Sequence, residues 1–80
     1  MALVIKVLGV GCAKCLQAEK NARLAVEEMG IDAVVEKVDD LAKIIEYGVL
    51  ATPGLVINDE VIKYGSIPTV KEIKTILSAY

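Results

Sequence analysis

The stretch "VLGVGCAKCLQAEK", residues 7–20, carries the chain's two cysteines, spaced two residues apart, between an apolar run and the start of a helical pattern. Before it, "LVIKVL" (residues 3–8) is apolar and β-branched on both faces, the pattern of a central strand covered on both sides. Gly9 and Gly11 break that strand. After it, Cys15, Ala18, Ala22, Val26 and Met29 recur at helical spacing, so a helix is expected from about Ala13 to Met29, stopped by Gly30. Cys12 therefore falls at a strand-to-helix junction. There a sulfur meets unpaired backbone N–H groups and the positive end of the helix dipole, which favour a thiolate. Cys15 lies one turn further on, close enough for a disulfide and less exposed. That asymmetry suits dithiol exchange, with Cys12 attacking a substrate disulfide and Cys15 resolving the mixed disulfide.

Beyond the first helix, "AVVEKV" (residues 33–38) reads as a second strand. Asp39 and Asp40 then supply the cap and negative charge that a helix start favours. That second helix is expected to turn Leu41, Ile44 and Ile45 inward and to end near Gly48. "ATPG" (residues 51–54) marks a turn, and "LVIN" and "VIKYG" around residues 58–60 form a hairpin. Alternation in "VIKYG" sets Tyr64 beside Ile62 on one face, which makes it packing rather than a roof over the cysteines. "TVKE" (residues 69–72) has capping-box spacing, and Val70, Ile73, Ile76, Leu77 and Tyr80 form an apolar stripe behind it. The order β, α, β, α, β, β, α over residues 1–80 is one α/β domain: a four-stranded mixed sheet with three flanking helices. Right-handed crossover makes the first two strands parallel neighbours, and the hairpin adds antiparallel ones.

Composition agrees. The chain has 80 residues, 55% hydrophobic, with mean hydropathy +0.55, enough apolar content to cover a small sheet on both faces. Nine basic and eleven acidic residues give a net charge of −2, and the aromatics are three tyrosines, so no nucleic-acid footprint or stacking platform is visible. "MALVI", interrupted by Lys6 and with no basic region before it, reads as neither a signal peptide nor a membrane span. A disulfide this short in sequence closes a tiny loop and staples almost nothing, so the role of the pair is chemical and a reducing cytosol is the expected compartment.

The element order, "CAKC" at the head of the first helix and "TP" (Thr52, Pro53) before the hairpin resemble the thioredoxin and glutaredoxin superfamily, and more closely its small archaeal and bacterial redox-active disulfide proteins. The resemblance spans nearly the whole chain. It implies a cis peptide bond before Pro53 and a substrate groove beside the disulfide. Thr52, Pro53 and Gly54 would form one wall and Gly65 with Ser66 the other, with Gly11, Ala13 and Lys14 around the cysteines. It also implies disulfide-containing protein partners, an upstream reductase, no bound cofactor and a monomer. Departures are visible: no tryptophan precedes Cys12, no acidic residue stands in the first strand, and of the glutaredoxin glutathione signature only Gly65 is matched. Glutathione is not expected as the substrate.

Glu19, four residues beyond Cys15, shares its helical face and is a candidate proton relay. The stronger reading is a surface pair with Arg23 at i+4. Lys14 is a candidate for lowering the Cys12 pKa, against an ordinary solvated lysine. The alternative chemistry for such a pair is metal binding. Two cysteines and no histidine exclude a closed zinc site. Two thiolates do suffice for Cu(I), and "GVGCAKC" also resembles the Met-x-Cys-x-x-Cys loop of small heavy-metal-binding domains. Those domains pass from their second strand directly to another strand and end on a strand, whereas helices are expected here at both places.

Overall fold

The computed structural model describes residues 3–11 and 13–80; Cys12 lies outside the described residues. Seven elements follow in order: β1 (Leu3–Leu8), α1 (Ala13–Met29), β2 (Ala33–Val38), α2 (Leu41–Glu46), β3 (Gly54–Ile57), β4 (Glu60–Tyr64) and α3 (Val70–Leu77). The strands form one sheet in the order β2-β1-β3-β4, with β1 parallel to β2 and antiparallel to β3, and β3 antiparallel to β4. This is the expected mixed sheet.

Pairing on both edges places β1 at the centre, and its two faces feed two cores. Ile5 and Val7 join Leu55 and Ile57 of β3 beneath Ala18, Ala22 and Ala25 of α1 and Ile73 and Leu77 of α3. Small residues on α1 let that helix lie close to the sheet. Leu8 and Val56 face the other way, against Ile44 of α2 and Val49. Ala25 is fully buried where Val26 and Met29 of the expected stripe are only partly so.

Two expectations fail. Leu41 and Ile45 are 59% and 61% exposed, so Ile44 alone of the three turns inward. The helix has only six residues, with Asp40 as its N-cap accepting from Ala42 N at 3.0 Å, and so meets the sheet through one side chain. Tyr47 and Val49, beyond its end, supply the remaining cover. Tyr64 does not share a face with Ile62. The β3–β4 register passes from Leu55↔Lys63 to Val56↔Val61, leaving Ile62 as an extra residue, a bulge that resets the alternation. Ile62 packs on the α1/α3 side, while Tyr64 stands opposite Gly54, whose missing side chain would point at Leu8 and Val49 on the α2 side. The hairpin turn is two residues, Asn58 and Asp59, both at positive φ, one residue tighter than expected.

Helix α3 begins with the expected capping box. Glu72 N donates to Thr69 Oγ1 at 3.1 Å, and Thr69 N donates to Glu72 Oε1 at 3.2 Å. Glu72 also pairs with Lys63, and that contact first, with the Thr69 N–H next, holds its carboxyl below the ordinary value of 4.5. A carboxylate with a depressed pKa contributes stability that is present above its unfolded value and lost as pH falls through the folded one. Acidification below about pH 4.5 should therefore destabilise the wild type more than Glu72→Gln, as read by urea midpoints across pH 3–7. At neutral pH, Thr69→Ala should cost about 1 kcal/mol.

Candidate functional site

The register of the sheet assembles the site. Leu8 pairs with Gly54 and Gly54 with Tyr64, so the end of β1, the start of β3 and the end of β4 lie side by side at one end of the sheet. From that end emerge the loop before α1 (Gly9–Gly11), the turn carrying Thr52 and Pro53, and Gly65 with Ser66. Gly11 takes φ +74, in the left-handed region, as the chain swings from strand to helix.

Cys15, the third residue of α1, is 2% exposed and disulfide-bonded. The motif residues around it, Gly11, Ala13 and Lys14, are exposed. Behind Cys15 lies Gly9, buried, with its N–H donating to Val38 O at 2.9 Å. A Cβ at Gly9 would fall onto the Sγ of Cys15 and lie 2.5 Å from its Cβ. Sequence reasoning assigned Gly9 only the role of breaking the strand. The signal available was a glycine six residues before the second cysteine, which has meaning only once strand and helix are known to be in contact.

The Thr52–Pro53 peptide bond is cis, and Pro53 is buried with its carbonyl accepting from Gly65 N at 3.0 Å. That bond ties the turn before β3 to the residue after β4. Gly65 has φ +87 and approaches Ala51. The two segments that the resemblance assigned to opposite walls are thus joined to one another at this end of the sheet. Gly54 is different from its neighbours. It is buried as the first residue of β3, and a Cβ there would sit 3.3 Å from Leu8 Cδ1 and 3.4 Å from Val49 Cγ1, so its glycine identity serves packing. Val10, Leu50 and Tyr64, at 58%, 93% and 54% exposure, add apolar surface at the same end. None of the three stood among the groove residues expected from the sequence.

Glu19 takes the part of the surface pair. Arg23 donates to Glu19 Oε2 from both Nε, at 3.1 Å, and Nη2, at 2.9 Å, as the i+4 spacing predicts. On the α2 side of β1, Lys6 occupies a half-buried position and donates to Tyr47 Oη at 3.1 Å and to Asp59 at 3.4 Å, while Tyr47 Oη donates to the same carboxylate at 3.2 Å. The tyrosine hydroxyl foremost, and Asp59 after it, hold the lysine above its ordinary pKa against the opposing effect of desolvation.

A disulfide-bonded cysteine in the first turn of a helix that follows a central strand, at the sheet end that also carries the Thr52–Pro53 turn, is the arrangement of thiol-disulfide oxidoreductases built on this sheet. The rival heavy-metal architecture is not this one, since α2 follows β2 and the described chain closes on α3. Comparison gives the same class. A family model described as thioredoxin domain matches residues 3–78. A protein named thioredoxin from Methanocaldococcus jannaschii is 46% identical over 78 residues, covering 98% of this chain and 90% of that one. Another so named, from Methanothermobacter thermautotrophicus, is 47% identical over 74 residues, covering 92% and 96%. Among solved structures, the germline-specific thioredoxin Deadhead of Drosophila melanogaster superposes with a TM-score of 0.69 at 16% identity, over 98% of this chain and 80% of that one, a likeness of fold. The chain belongs to the thioredoxin family and is a protein-disulfide oxidoreductase.

The Gly65 tie gives a test of the site's framework. Gly65→Ala places a Cβ on a left-handed residue and should cost roughly 1 kcal/mol, a fall in Tm of about 4–8 °C for a chain of this size. Gly54→Ala, without positive φ but tight against Leu8 and Val49, should lower Tm through packing alone, leaving disulfide exchange by the folded protein unchanged.

Proposed function

We propose that Cys12 is the attacking thiol and Cys15 the resolving thiol in exchange with protein disulfides. The observation that carries this reading is the burial of Cys15: at 2% exposure, its sulfur is out of reach of a substrate disulfide in bulk solvent. First contact then falls to the other thiol. Placement between β1 and α1 supports the same division, since a helix N-terminus favours a thiolate.

The electrons balance over two steps. Cys12 thiolate attacks one sulfur of the substrate disulfide, forming a mixed disulfide and releasing the other substrate sulfur as a thiolate that takes a proton. Cys15, having lost its proton, attacks the Cys12 sulfur. The internal disulfide forms and the second substrate thiol leaves, so two electrons and two protons have passed to the substrate. An upstream reductase or dithiol returns them to the protein.

The groove for the substrate is formed, in this reading, by Gly11, Ala13 and Lys14 on one side and by Thr52, Pro53, Gly65 and Ser66 on the other. Partners are disulfide-containing proteins. The compartment is a reducing cytosol, where a cysteine pair serves redox chemistry rather than structure. No described helix is long and apolar enough to cross a membrane.

The test is trapping. Cys15→Ser should accumulate mixed disulfides through Cys12 with partner proteins or a model disulfide, and Cys12→Ser should accumulate none. The reverse result would exchange the two roles. Titration of the wild type across defined dithiothreitol ratios should show one reversible two-electron step between roughly −200 and −300 mV. High-affinity binding of one Cu(I) per reduced chain, with no stable internal disulfide, would overturn the exchange mechanism.

A further inference from the structure

Four of the chain's six glycines, Gly11, Gly30, Gly48 and Gly65, have positive φ, and Gly54 abuts Leu8 and Val49. Gly9 has no positive φ. The three nearest atoms that a side chain at Gly9 would meet all belong to Cys15: Sγ first, Cβ at 2.5 Å and Cα at 3.7 Å. We propose that Gly9 is a positioning residue for the redox step: its bare Cα is the wall against which the Cys15 sulfur rests in the disulfide form, and it thereby sets the balance between disulfide and dithiol. The proposal rests on the reading of Cys15 as one half of the exchanging pair.

Neither side of this contact is free to withdraw. Gly9 N is hydrogen-bonded to Val38 O at 2.9 Å, and the residue before it, Leu8, is paired with Val38 on one side and Gly54 on the other. Cys15 belongs to α1, which is seated on the sheet through the fully or almost fully buried Ala18, Ala22 and Ala25. A methyl group at position 9 would overlap both the Cβ of Cys15, whose place is fixed by the α1 backbone, and the sulfur beyond it. In the disulfide the sulfur is held in place by its covalent bond and meets the methyl group directly. In the dithiol it can rotate about χ1 to another staggered position. The Cβ overlap costs both forms alike, and the sulfur contact, which rotation relieves in the dithiol, adds to it in the disulfide, so the added methyl group penalises the oxidised form more than the reduced one.

The experiment is a glutathione titration of wild type and G9A, with thiols counted by alkylation and mass. The equilibrium converts the protein disulfide and two glutathione thiols into the protein dithiol and one glutathione disulfide, a transfer of two electrons and two protons. G9A should shift it toward the dithiol at least tenfold, about 30 mV more positive for a two-electron couple. Thermal unfolding of both redox forms separates positioning from simple packing: G9A should lower Tm of the oxidised form more than that of the reduced form. An equal loss in both forms, with a shift in equilibrium under twofold, overturns the proposal. If G9A does not fold, the comparison moves to a Cys15→Gly background, where the Cβ and the sulfur that the methyl group would strike are both gone. There G9A should leave Tm unchanged, and a loss as large as in the wild-type background overturns the proposal. Absence of any two-electron step in the wild type would instead overturn the exchange reading itself, and this one with it.

Discussion

The site end of the molecule depends on β1 being held from both edges and both faces. Its backbone is paired with β2 in parallel and with β3 antiparallel, and its side chains alternate between the α1/α3 core and the α2 core. A strand fixed in this way delivers the chain to the sheet end at a defined height, from which only a short loop leads into α1. Cys15 is buried there because α1 must lie flat on the sheet to seat Ala18, Ala22 and Ala25. The alanine face and the glycine at position 9 act together, since the alanines set the depth of the helix and the glycine admits the sulfur at that depth. Close packing of this kind transmits small changes in volume instead of absorbing them.

Much of this was legible in the sequence because the elements are short and strongly patterned. The apolar run of β1, the cysteine pair at the head of α1, Gly30 past its end and the capping box of α3 are local signals, each with its own physical cause, and all led to the element order found. Parallel pairing of β1 with β2 followed from crossover handedness. What escaped were features decided by tertiary contact. Leu41 and Ile45 have the spacing of an inward stripe, yet a helix of six residues is too short for its stripe to be buried throughout. Tyr64 was assigned a face by alternation, and one bulged residue reversed the assignment, since period-two patterning survives only while the register does.

The candidate site shows the same division. The cysteines and the Thr-Pro turn carry chemical or conformational signatures that a reader of sequence can find. Gly9 has none, because glycine in a strand-ending loop has several ordinary explanations. Only the absence of positive φ together with the Cys15 contact separates its role from that of Gly11, two residues on. The exposed apolar residues Val10, Leu50 and Tyr64 come from three separate segments, and their gathering at one end is a property of the register rather than of any local pattern.

The other face of β1 carries a cost of the same architecture. The first strand has a lysine where a fully covered strand would be apolar, and α2 is too short to cover it. Lys6 is accommodated because Tyr47, from the end of α2, and Asp59, from the hairpin turn, both reach its ammonium group, and each also meets the other. A half-buried cation is tolerable when hydrogen-bonded to a carboxylate and a hydroxyl. Here the contact also joins three segments that share little apolar surface. A polar cluster thus does on the α2 side what alanine packing does on the α1 side. The difference in means follows from length: α1, with seventeen residues, can close its face with side-chain volume alone, and α2, with six, cannot.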